Sequence, residues 1–395
     1  MWPFGRIGTT RSGITGGVDD PGEDRLRDDN HFARRIRLFA LAALFVLGAG
    51  GWSGVIAGTQ VSFPCPPAIE PSVRFWVDVF AVYSARDFIV HDRDQVSRVY
   101  QVMHLPGSGY PGRDEAESIR AYLTQKYANI LNHLATGAPP STYEERRVAK
   151  LFQGESPSAY ALAAQSLRVQ QGMREQFREG LLRSRYYWPS MERTFRMFGL
   201  PPELVTLADV ESGFYSRAKS GAGAVGIWQF TRTTGREYMR ITRYHDDRLN
   251  PTTETEAAAR LLRSNYDALG SWPLAITAYN YGTGGTEQAS AEFGGDYSKI
   301  VRSYNGPHFG FASKNYYPEF LAAVEVHQNE DKYFPDMKYA ETPTPPPVKT
   351  DFAPKRSARR SAHHHPHTHR ARHTQRQVAS AQTSHVKTGR ATVMR

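Results

Sequence analysis

Glu211 is the residue of this sequence with the clearest potential for chemistry, and it lies in the stretch LPPELVTLADVESGFYSRAKSGAGAVGIWQF, residues 200–230. Apolar residues precede it at i, i+3 and i+4 of the same helical face: Leu204, Leu207 and Ala208. Gly213 predicts a left-handed cap that ends this helix two residues later. Burial and the negative helix end both disfavour a carboxylate, so the Glu211 carboxyl is expected to keep its proton near neutral pH. The alternative is a structural glutamate that is buried against an arginine.

Three further stretches combine glycines with polar and aromatic side chains. They are SGAGAVGIWQF, AYNYG and FGFASKNYYPEFLAA. With the serine that follows Glu211, they supply these candidate site residues: Ser212, Ser220, Gly226, Trp228, Gln229, Tyr279, Asn280 and Tyr316. AGAVG lacks the lysine of a phosphate-binding loop, and the single cysteine, Cys65, excludes a cysteine-rich zinc site. We therefore predict no cofactor and no metal.

The order and spacing of VESGF and these three stretches resemble the lysozyme-like lytic transglycosylases of bacterial cell walls. The branch that they resemble most is the membrane-bound lytic murein transglycosylase D type, with its SLT domain. The resemblance is strong over about residues 180–328 and weaker back to about residue 73. It implies a mainly α fold of the α+β lysozyme-like kind, in which a helical N-terminal region packs on the transglycosylase domain. It also implies peptidoglycan glycan strands as the partner and substrate.

The resemblance carries roles to individual positions. It makes Glu211 the acid and then the base, and Tyr316 the residue that hydrogen-bonds or orients this acid. Gly226 and Gln229 would lie in a loop that lines the sugar cleft, where Trp228 either stacks on a sugar or packs in the core. The other substrate-binding positions are Tyr279 and Asn280, with Ser212 beside the acid and Ser220 as a hydroxyl near the acetamido groups.

A single carboxyl suffices for the reaction that the resemblance implies. Most glycosidases use two carboxylates, but Asp209 should lie on another helical face and be solvated, and Asp246, Asp247 and Glu254 have the positions of helix caps. The 2-acetamido oxygen of the substrate would then attack the anomeric carbon while Glu211 protonates the leaving oxygen. Glu211 next removes the proton of the muramyl 6-hydroxyl, which yields a 1,6-anhydromuramyl end without water.

The N-terminal part of the chain predicts a membrane or export segment. Residues 1–37 are rich in Gly, Asp and Arg and are interpreted as a disordered cytoplasmic leader. Residues 38–58 contain no charge and are long enough to span a bilayer, with arginines on the N-terminal side. This segment is either an inner-membrane anchor or a signal peptide, and residues 59–72 form a proline-rich linker. Both readings place the rest of the chain in the bacterial envelope, facing the periplasm.

Residues 73–185 are predicted to form a helical region without chemistry of its own. VRFWVDVFAVY fits either a helix or a strand, and FIVH (88–91) is the best candidate for a strand. Periodicity predicts helices at 114–135 and at about 143–152, 157–183 and 189–198.

Residues 186–330 are predicted to form the transglycosylase domain, with further helices in its second half. A Thr253–Glu256 capping box should open one helix, Pro273 to Asn280 should form a short one, and Asn315 to Gln328 the last. TGG and FGGD are interpreted as turns. The tail, 340–395, carries 11 Lys+Arg against 2 Asp+Glu and a histidine run, and it is predicted to be disordered. This tail accounts for most of the net charge of +10, and we expect no nucleic-acid partner.

Two other functions remain open on the sequence alone. A hydrolytic muramidase could be built on the same scaffold, and a glycan-binding scaffold could retain the fold without turnover. The intact set of Glu211, Gln229, Asn280 and Tyr316 argues against the second. The oligomeric state is not predicted.

Overall fold

A computed structural model describes residues 63–352, which are mainly helical with one small sheet. The helices before residue 200 are α1 (Glu70–Ala81), α2 (Arg113–Ala135), α3 (Tyr143–Lys150), α4 (Pro157–Gln165) and α5 (Arg174–Met197). The strands β1 (Asp87–Asp92), β2 (Val99–His104) and β3 (Leu167–Gln171) form an antiparallel sheet in the order β2-β1-β3.

The part of the chain after residue 200 is helical. A 3-10 turn, Pro202–Thr206, leads into α6, and the later helices are connected by short loops. Their bounds are α6 (Leu207–Ser212), α7 (Arg232–Tyr238), α8 (Pro251–Leu269), α9 (Trp272–Tyr281), α10 (Thr283–Phe293), α11 (Tyr297–Ser303), α12 (Phe311–Gln328) and α13 (Glu330–Tyr333). Further 3-10 turns lie at Asp247–Leu249 and Pro335–Tyr339.

Strand β1 separates two hydrophobic cores because successive side chains of a strand point to opposite faces. Phe88 and Val90 belong to a smaller core beneath α2, α3 and α4. Ile89 belongs to the main core, which joins α1 and α5 to the helices after residue 200. The region before residue 200 therefore shares its core with the region that carries the sequence motifs.

Helix α12 lies at the centre of the main core, against α1, α6 and α9. Helix α5 approaches α6 closely at Gly180, where an added Cβ would lie 3.1 Å from the Cα of Gly213. A larger residue at Gly180 would push these helices apart. Together, α5 and α12 fix the position of the helix that ends at Glu211.

The mainly α prediction is confirmed, and so are several of its elements. FIVH lies in β1, the ambiguous segment after residue 72 is the helix α1, and the predicted helix 114–135 is α2. The predicted end of the Glu211 helix is also found, since Gly213 has φ 56° in a left-handed cap.

Two helix predictions before residue 200 are wrong, and two strands are not predicted. FIVH is the best strand candidate in the sequence, and the structure pairs it with β2 and β3. The predicted helix 157–183 breaks at Ser166, where β3 begins one residue later. The predicted helix 189–198 is the end of α5, which continues through Pro189. Helix α5 also runs across the predicted domain boundary between 185 and 186, and α1 begins at Glu70 inside the predicted linker.

Three predictions after residue 200 need correction. Helix α8 begins at Pro251 with Asn250 as its cap, because the Asn250 side chain accepts from the N–H groups of Thr252 and Thr253. TGG (283–285), interpreted as a turn, begins α10, whereas Gly294 and Gly295 of FGGD do form the turn that follows this helix. The start of the tail is ordered: the Phe352 N–H donates to the Tyr244 carbonyl at 2.7 Å. The predicted leader 1–37, the segment 38–58 and residues 353–395 lie outside the described residues.

Candidate active site

Glu211 is positioned by an abrupt change of chain direction at the end of α6. Gly213 and Phe214 both have φ 56°, in the left-handed region. The Phe214 N–H donates to the Ala208 carbonyl at 3.2 Å, and the Phe214 ring is fully buried in the main core. This arrangement fixes the last turn of α6 and leaves the Glu211 side chain only partly buried.

The Glu211 carboxyl meets one hydrogen-bond donor from α12. The Tyr316 hydroxyl donates to Glu211 Oε1 at 2.5 Å. Burial raises the pKa of Glu211 to about 7, and the Tyr316 hydroxyl acts in the opposite direction by stabilising the carboxylate. A glutamic acid with this pKa is protonated in a large fraction of molecules at neutral pH, and it can also accept a proton there.

Glu211 opens into a cavity of about 110 Å³. Asn280 and Tyr316 line the same cavity, so three of the predicted site residues meet there. The region before residue 200 closes the other side with side chains of α1, β3 and the segment that follows β3: Trp76, Arg168, Gln170 and Met173. The remaining walls are Val210, Phe311, Ala312 and Glu319.

Tyr279 connects this cavity to the GIWQF loop. Its ring stacks on that of Tyr316, with centroids 6.4 Å apart and planes 6° from parallel. Its hydroxyl donates to the Trp228 carbonyl at 2.9 Å. Asn280 is the next residue of α9; it is exposed, and its Oδ1 accepts from the Ser313 hydroxyl at 3.1 Å. The AYN motif is thereby tied to both the loop and α12.

Glu254 stabilises the backbone of the GIWQF loop through hydrogen bonds. Its two carboxylate oxygens accept from the N–H groups of Ile227 at 2.8 Å and Trp228 at 2.9 Å. Gly226 has φ 91°, and an added Cβ would lie 2.1 Å from the Arg248 carbonyl oxygen. Only glycine fits at this position, because both the backbone conformation and the close approach exclude a side chain.

Gln229 takes a left-handed backbone conformation, with φ 52°. Its Nε2 donates to the Gly226 carbonyl at 2.8 Å, which closes the loop on itself. Few residues other than glycine adopt this conformation, and those that do are concentrated at functional sites. The side chain stays partly exposed.

Two predicted substrate-binding residues are buried and have structural partners, which for Trp228 is the packing alternative and for Ser212 corrects the assignment. Trp228 is fully buried; it stacks on Phe195 and donates from its indole N–H to Thr255 at 3.0 Å. It packs in the core and has no exposed face for a sugar. Ser212 is also fully buried, and its hydroxyl donates to the Ile227 carbonyl at 2.8 Å. Ser212 therefore joins α6 to the loop.

Ser220 lies in the turn before the GIWQF loop and does not line the cavity at Glu211. Its hydroxyl accepts from the Ala224 N–H at 3.0 Å and stabilises this turn. It is partly buried.

The predictions for two acidic residues were wrong. Asp209 was expected to be solvated, but it is only 1% exposed and accepts from His327 on α12 at 3.1 Å. Glu254 was expected to be a cap, but it binds the loop N–H groups described above. Asp246 does cap the 3-10 turn that follows it, by accepting from the Arg248 N–H.

Glu319 is a carboxyl of the site that is not among the predicted site residues. It lies three residues after Tyr316 on α12, so both side chains share a helical face. It is 3% exposed and lines the Glu211 cavity. The expectation that Glu211 has no carboxyl neighbour is therefore wrong. The i, i+3 spacing from Tyr316 was the available signal.

The described residues contain neither a cluster of metal ligands nor a membrane-spanning helix. Among residues 63–352, no group of three or more His, Cys, Asp or Glu side chains is arranged to hold a metal ion. Within the same residues, no helix has the length and hydropathy that crossing a membrane requires.

Comparisons with known proteins agree with the motifs. The family model described as "Transglycosylase SLT domain" matches residues 192–305, which confirms the predicted resemblance. Membrane-bound lytic murein transglycosylase D of Escherichia coli strain K12 is 36% identical over 136 residues, which are 34% of this chain and 30% of that protein. A transglycosylase of Enterobacteria phage PRD1 is 32% identical over 105 residues, 26% of this chain and 37% of that protein.

The similarity is limited to part of each protein. The chain spans less than a third of the length of the E. coli relative that it matches. Among solved structures, the X-ray structure of an inactive mutant of the lytic transglycosylase Slt from Pseudomonas aeruginosa matches with a TM-score of 0.29 and 19% identity. That match covers 41% of this chain and 25% of the Slt chain.

Proposed function

We propose that this chain is a peptidoglycan lytic transglycosylase that cleaves the β-1,4 bond between N-acetylmuramic acid and N-acetylglucosamine. The observation that carries the proposal is the environment of Glu211. Burial raises the pKa of this carboxyl to about 7, the Tyr316 hydroxyl holds one of its oxygens, and the other side opens into a cavity. The SLT-domain match and the E. coli and phage relatives support the same substrate class.

In the proposed first step, protonated Glu211 gives its proton to the glycosidic oxygen as the bond to the anomeric carbon breaks. The acetamido oxygen of the muramyl unit attacks that carbon and takes the place of a protein nucleophile. A positioned acid of this kind accelerates cleavage by roughly 10²–10⁴-fold. The Tyr316 hydroxyl stabilises the Glu211 carboxylate that is left behind.

In the second step, the Glu211 carboxylate removes the proton of the muramyl 6-hydroxyl. That oxygen closes onto the anomeric carbon and displaces the acetamido oxygen, so a 1,6-anhydro ring forms and Glu211 regains its proton. No water is consumed. A pKa of about 7 suits both steps, because acid and base forms of Glu211 are then both accessible at neutral pH.

The remaining site residues are proposed to act in support. Gln229 and Asn280 are partly or fully exposed and can hydrogen-bond the sugars. Tyr279, Ser212 and Trp228 hold the loop in place through the Trp228 and Ile227 carbonyls and the core.

Mass spectrometry of the fragments from digested sacculi tests this proposal. The chain is expected to release muropeptides with 1,6-anhydromuramyl ends, and Glu211→Gln is expected to release none. Reducing muramic ends would show a hydrolase instead. An unchanged yield from Glu211→Gln would remove Glu211 from the catalytic role.

A hydrolytic muramidase is the second candidate, and one observation favours it. Glu319 brings a second carboxyl to the cavity of Glu211, and most hydrolytic glycosidases use two carboxylates. The same product analysis distinguishes the two reactions, because only hydrolysis adds water to the muramyl end.

We further propose that the chain works in the periplasm-facing envelope. Residues 38–58 would anchor it in the inner membrane or act as a signal segment, 73–185 would be the N-terminal region and 186–330 the transglycosylase domain. The name of the E. coli relative includes membrane association. Determining the N-terminal residue of the mature protein tests the anchor: a start after about residue 57 would show cleavage.

A further inference from the structure

Two charged side chains that are not among the predicted site residues share the cavity of Glu211. Glu319 reaches it from α12, and Arg168 reaches it from β3, in the region before residue 200. The Nε atom of Arg168 is buried without a hydrogen-bond partner. The cavity therefore holds two carboxyls and one guanidinium.

Arg168 is held in place by packing. Its guanidinium carbon lies 3.9 Å from the centroid of the Phe311 ring, which is a cation–π contact. The charge of Glu319 attracts the Arg168 guanidinium, and the charge of Arg93 repels the same guanidinium. The His91 ring also contacts Phe311, with centroids 6.0 Å apart. Burial lowers the pKa of His91 to about 4, so it is neutral at pH 7.

The charges of the three groups depend on one another. Burial raises the pKa of Glu319 most, the charge of Glu211 raises it further, and Arg168 opposes both effects. Ionisation of both carboxyls in one small cavity is disfavoured near neutral pH, because each carboxylate repels the other. One carboxylate beside one guanidinium leaves the cavity electrically neutral.

We propose that Glu319 and Arg168 are positioning residues for Glu211: the two carboxyls hold one proton between them at neutral pH, and Arg168 balances the single carboxylate. The catalytic meaning of this arrangement rests on the proposed function, but the sharing of the proton does not. In the proposed reaction, the pair would keep a proton available to Glu211 at pH values where an isolated carboxyl has lost it.

The other titratable groups around Glu211 do not take this role. Tyr316 and Tyr279 face it from α12 and α9, and burial raises the pKa of both hydroxyls, so they stay neutral. Asp209 lies on the side of α6 that faces α5, where Gly180 approaches its Oδ1. Arg183 of α5 donates to the Gly213 carbonyl there. Glu319 and Arg168 are thus the charged partners on the cavity side.

The test is a pH titration of the full-length chain with ¹³C-carboxyl-labelled glutamate, followed by NMR. The Glu211 signal is assigned by its loss in Glu211→Gln. Glu319→Gln should lower the apparent pKa of Glu211 by about one pH unit or more, because repulsion is removed and Arg168 acts on Glu211 alone. Arg168→Met should raise it, because the balancing cation is gone.

Matched variants separate charge from packing. Arg168→Lys keeps the cation and should leave the titration near that of the wild type. Gln170→Leu changes a neutral wall residue of the same strand and should also leave it unchanged. Shifts of the same sign for Glu319→Gln and Arg168→Met, or no shift in either, would overturn the proposal. Chemical-shift spectra of each variant confirm that it is folded.

This titration needs no substrate, so its failure is distinct from a failure of the proposed function. If the opposite shifts appear but no anhydro product forms, the proton-sharing pair stands and the transglycosylase proposal falls. If the product forms but the shifts are absent, the transglycosylase proposal stands and the proton-sharing pair falls.

Discussion

Glu211 and Glu254 are two glutamates in the part of the chain after residue 200, and their surroundings differ. Burial raises the pKa of both. Glu254 is enclosed and accepts two backbone N–H groups of the GIWQF loop. Glu211 has one hydroxyl donor, Tyr316, and a cavity on its other side. The difference indicates two roles. Glu254, with both oxygens hydrogen-bonded to the backbone, fixes the loop, whereas Glu211, with one side open to the cavity, is available for chemistry.

The largest effect that this comparison predicts concerns stability at Glu254. Glu254→Ala leaves the buried N–H groups of Ile227 and Trp228 without partners, and each unsatisfied group costs about 1–3 kcal/mol. The free energy of unfolding should fall by about 2–6 kcal/mol in urea denaturation. Glu256→Ala is the matched control on the same helix: its side chain is 46% exposed and its ion pair with Arg260 is long, so a change within about 0.5 kcal/mol is expected. Equal losses from both variants would contradict the loop-holding role.

Substitution of Glu211, in contrast to substitution of Glu254, is predicted to stabilise the folded state at alkaline pH. Its pKa is raised from 4.5 to about 7 on folding, so the folded state binds the proton more tightly than the unfolded state does. The stability from this group is fully present below pH 4.5 and is lost as the pH rises through about 7. Glu211→Gln avoids the loss and should therefore be more stable than the wild type at pH 8, by about 3 kcal/mol, and equal to it at pH 4.

Thermal and urea unfolding of both proteins across this pH range measure the difference. Contributions from titrating groups remote from Glu211 cancel between wild type and variant, whereas the Glu211 charge also raises the pKa of Glu319, so the difference reports on both carboxyls. A variant that is less stable at pH 8 would mean that Glu211 is a satisfied structural carboxylate like Glu254.

The smallest predicted effect concerns the one donor to Glu211. Tyr316→Phe removes the hydroxyl that lowers the pKa of Glu211, so this pKa should rise and the alkaline limb of the pH–rate profile should move to higher pH. Loss of a hydrogen bond to a developing carboxylate should also reduce the cleavage rate by about tenfold or more. Rates of sacculus cleavage at several pH values measure both. A lower rate without a shift in the limb would assign Tyr316 to packing.

The sequence predicts the parts of the site that depend on local structure. The apolar face of α6 and the left-handed cap at Gly213 follow from residue types within one short stretch. The order of the motifs places Glu211, Asn280 and Tyr316 in one family pattern, and these three line one cavity.

The parts that were missed depend on contacts between distant segments. Asp209 is buried because His327, 118 residues later, provides a partner, and nothing near Asp209 in the sequence indicates this. Arg168 enters the cavity because β3 pairs with β1; the alternation of apolar and polar residues in LRVQ spans only four positions and falls inside the predicted helix 157–183. Trp228 has an aromatic side chain in a predicted sugar cleft, yet Phe195 and Thr255 bury it.

The helix start at Pro251 shows a local ambiguity. Asn250 and Thr253 are both residue types that cap helices. Pro251 favours the earlier start, because proline suits the first helical position. The T-x-x-E pattern of Thr253 and Glu256 therefore lies inside the first turns of α8.

The central claim is that Glu211 alone serves as acid and base in a reaction that consumes no water. The most direct measurement is mass spectrometry of the products from sacculi digested in H₂¹⁸O by wild type and Glu211→Gln. We expect anhydromuramyl ends without ¹⁸O from the wild type and no product from the variant. Muramyl ends that carry ¹⁸O, or equal product from Glu211→Gln, would contradict it.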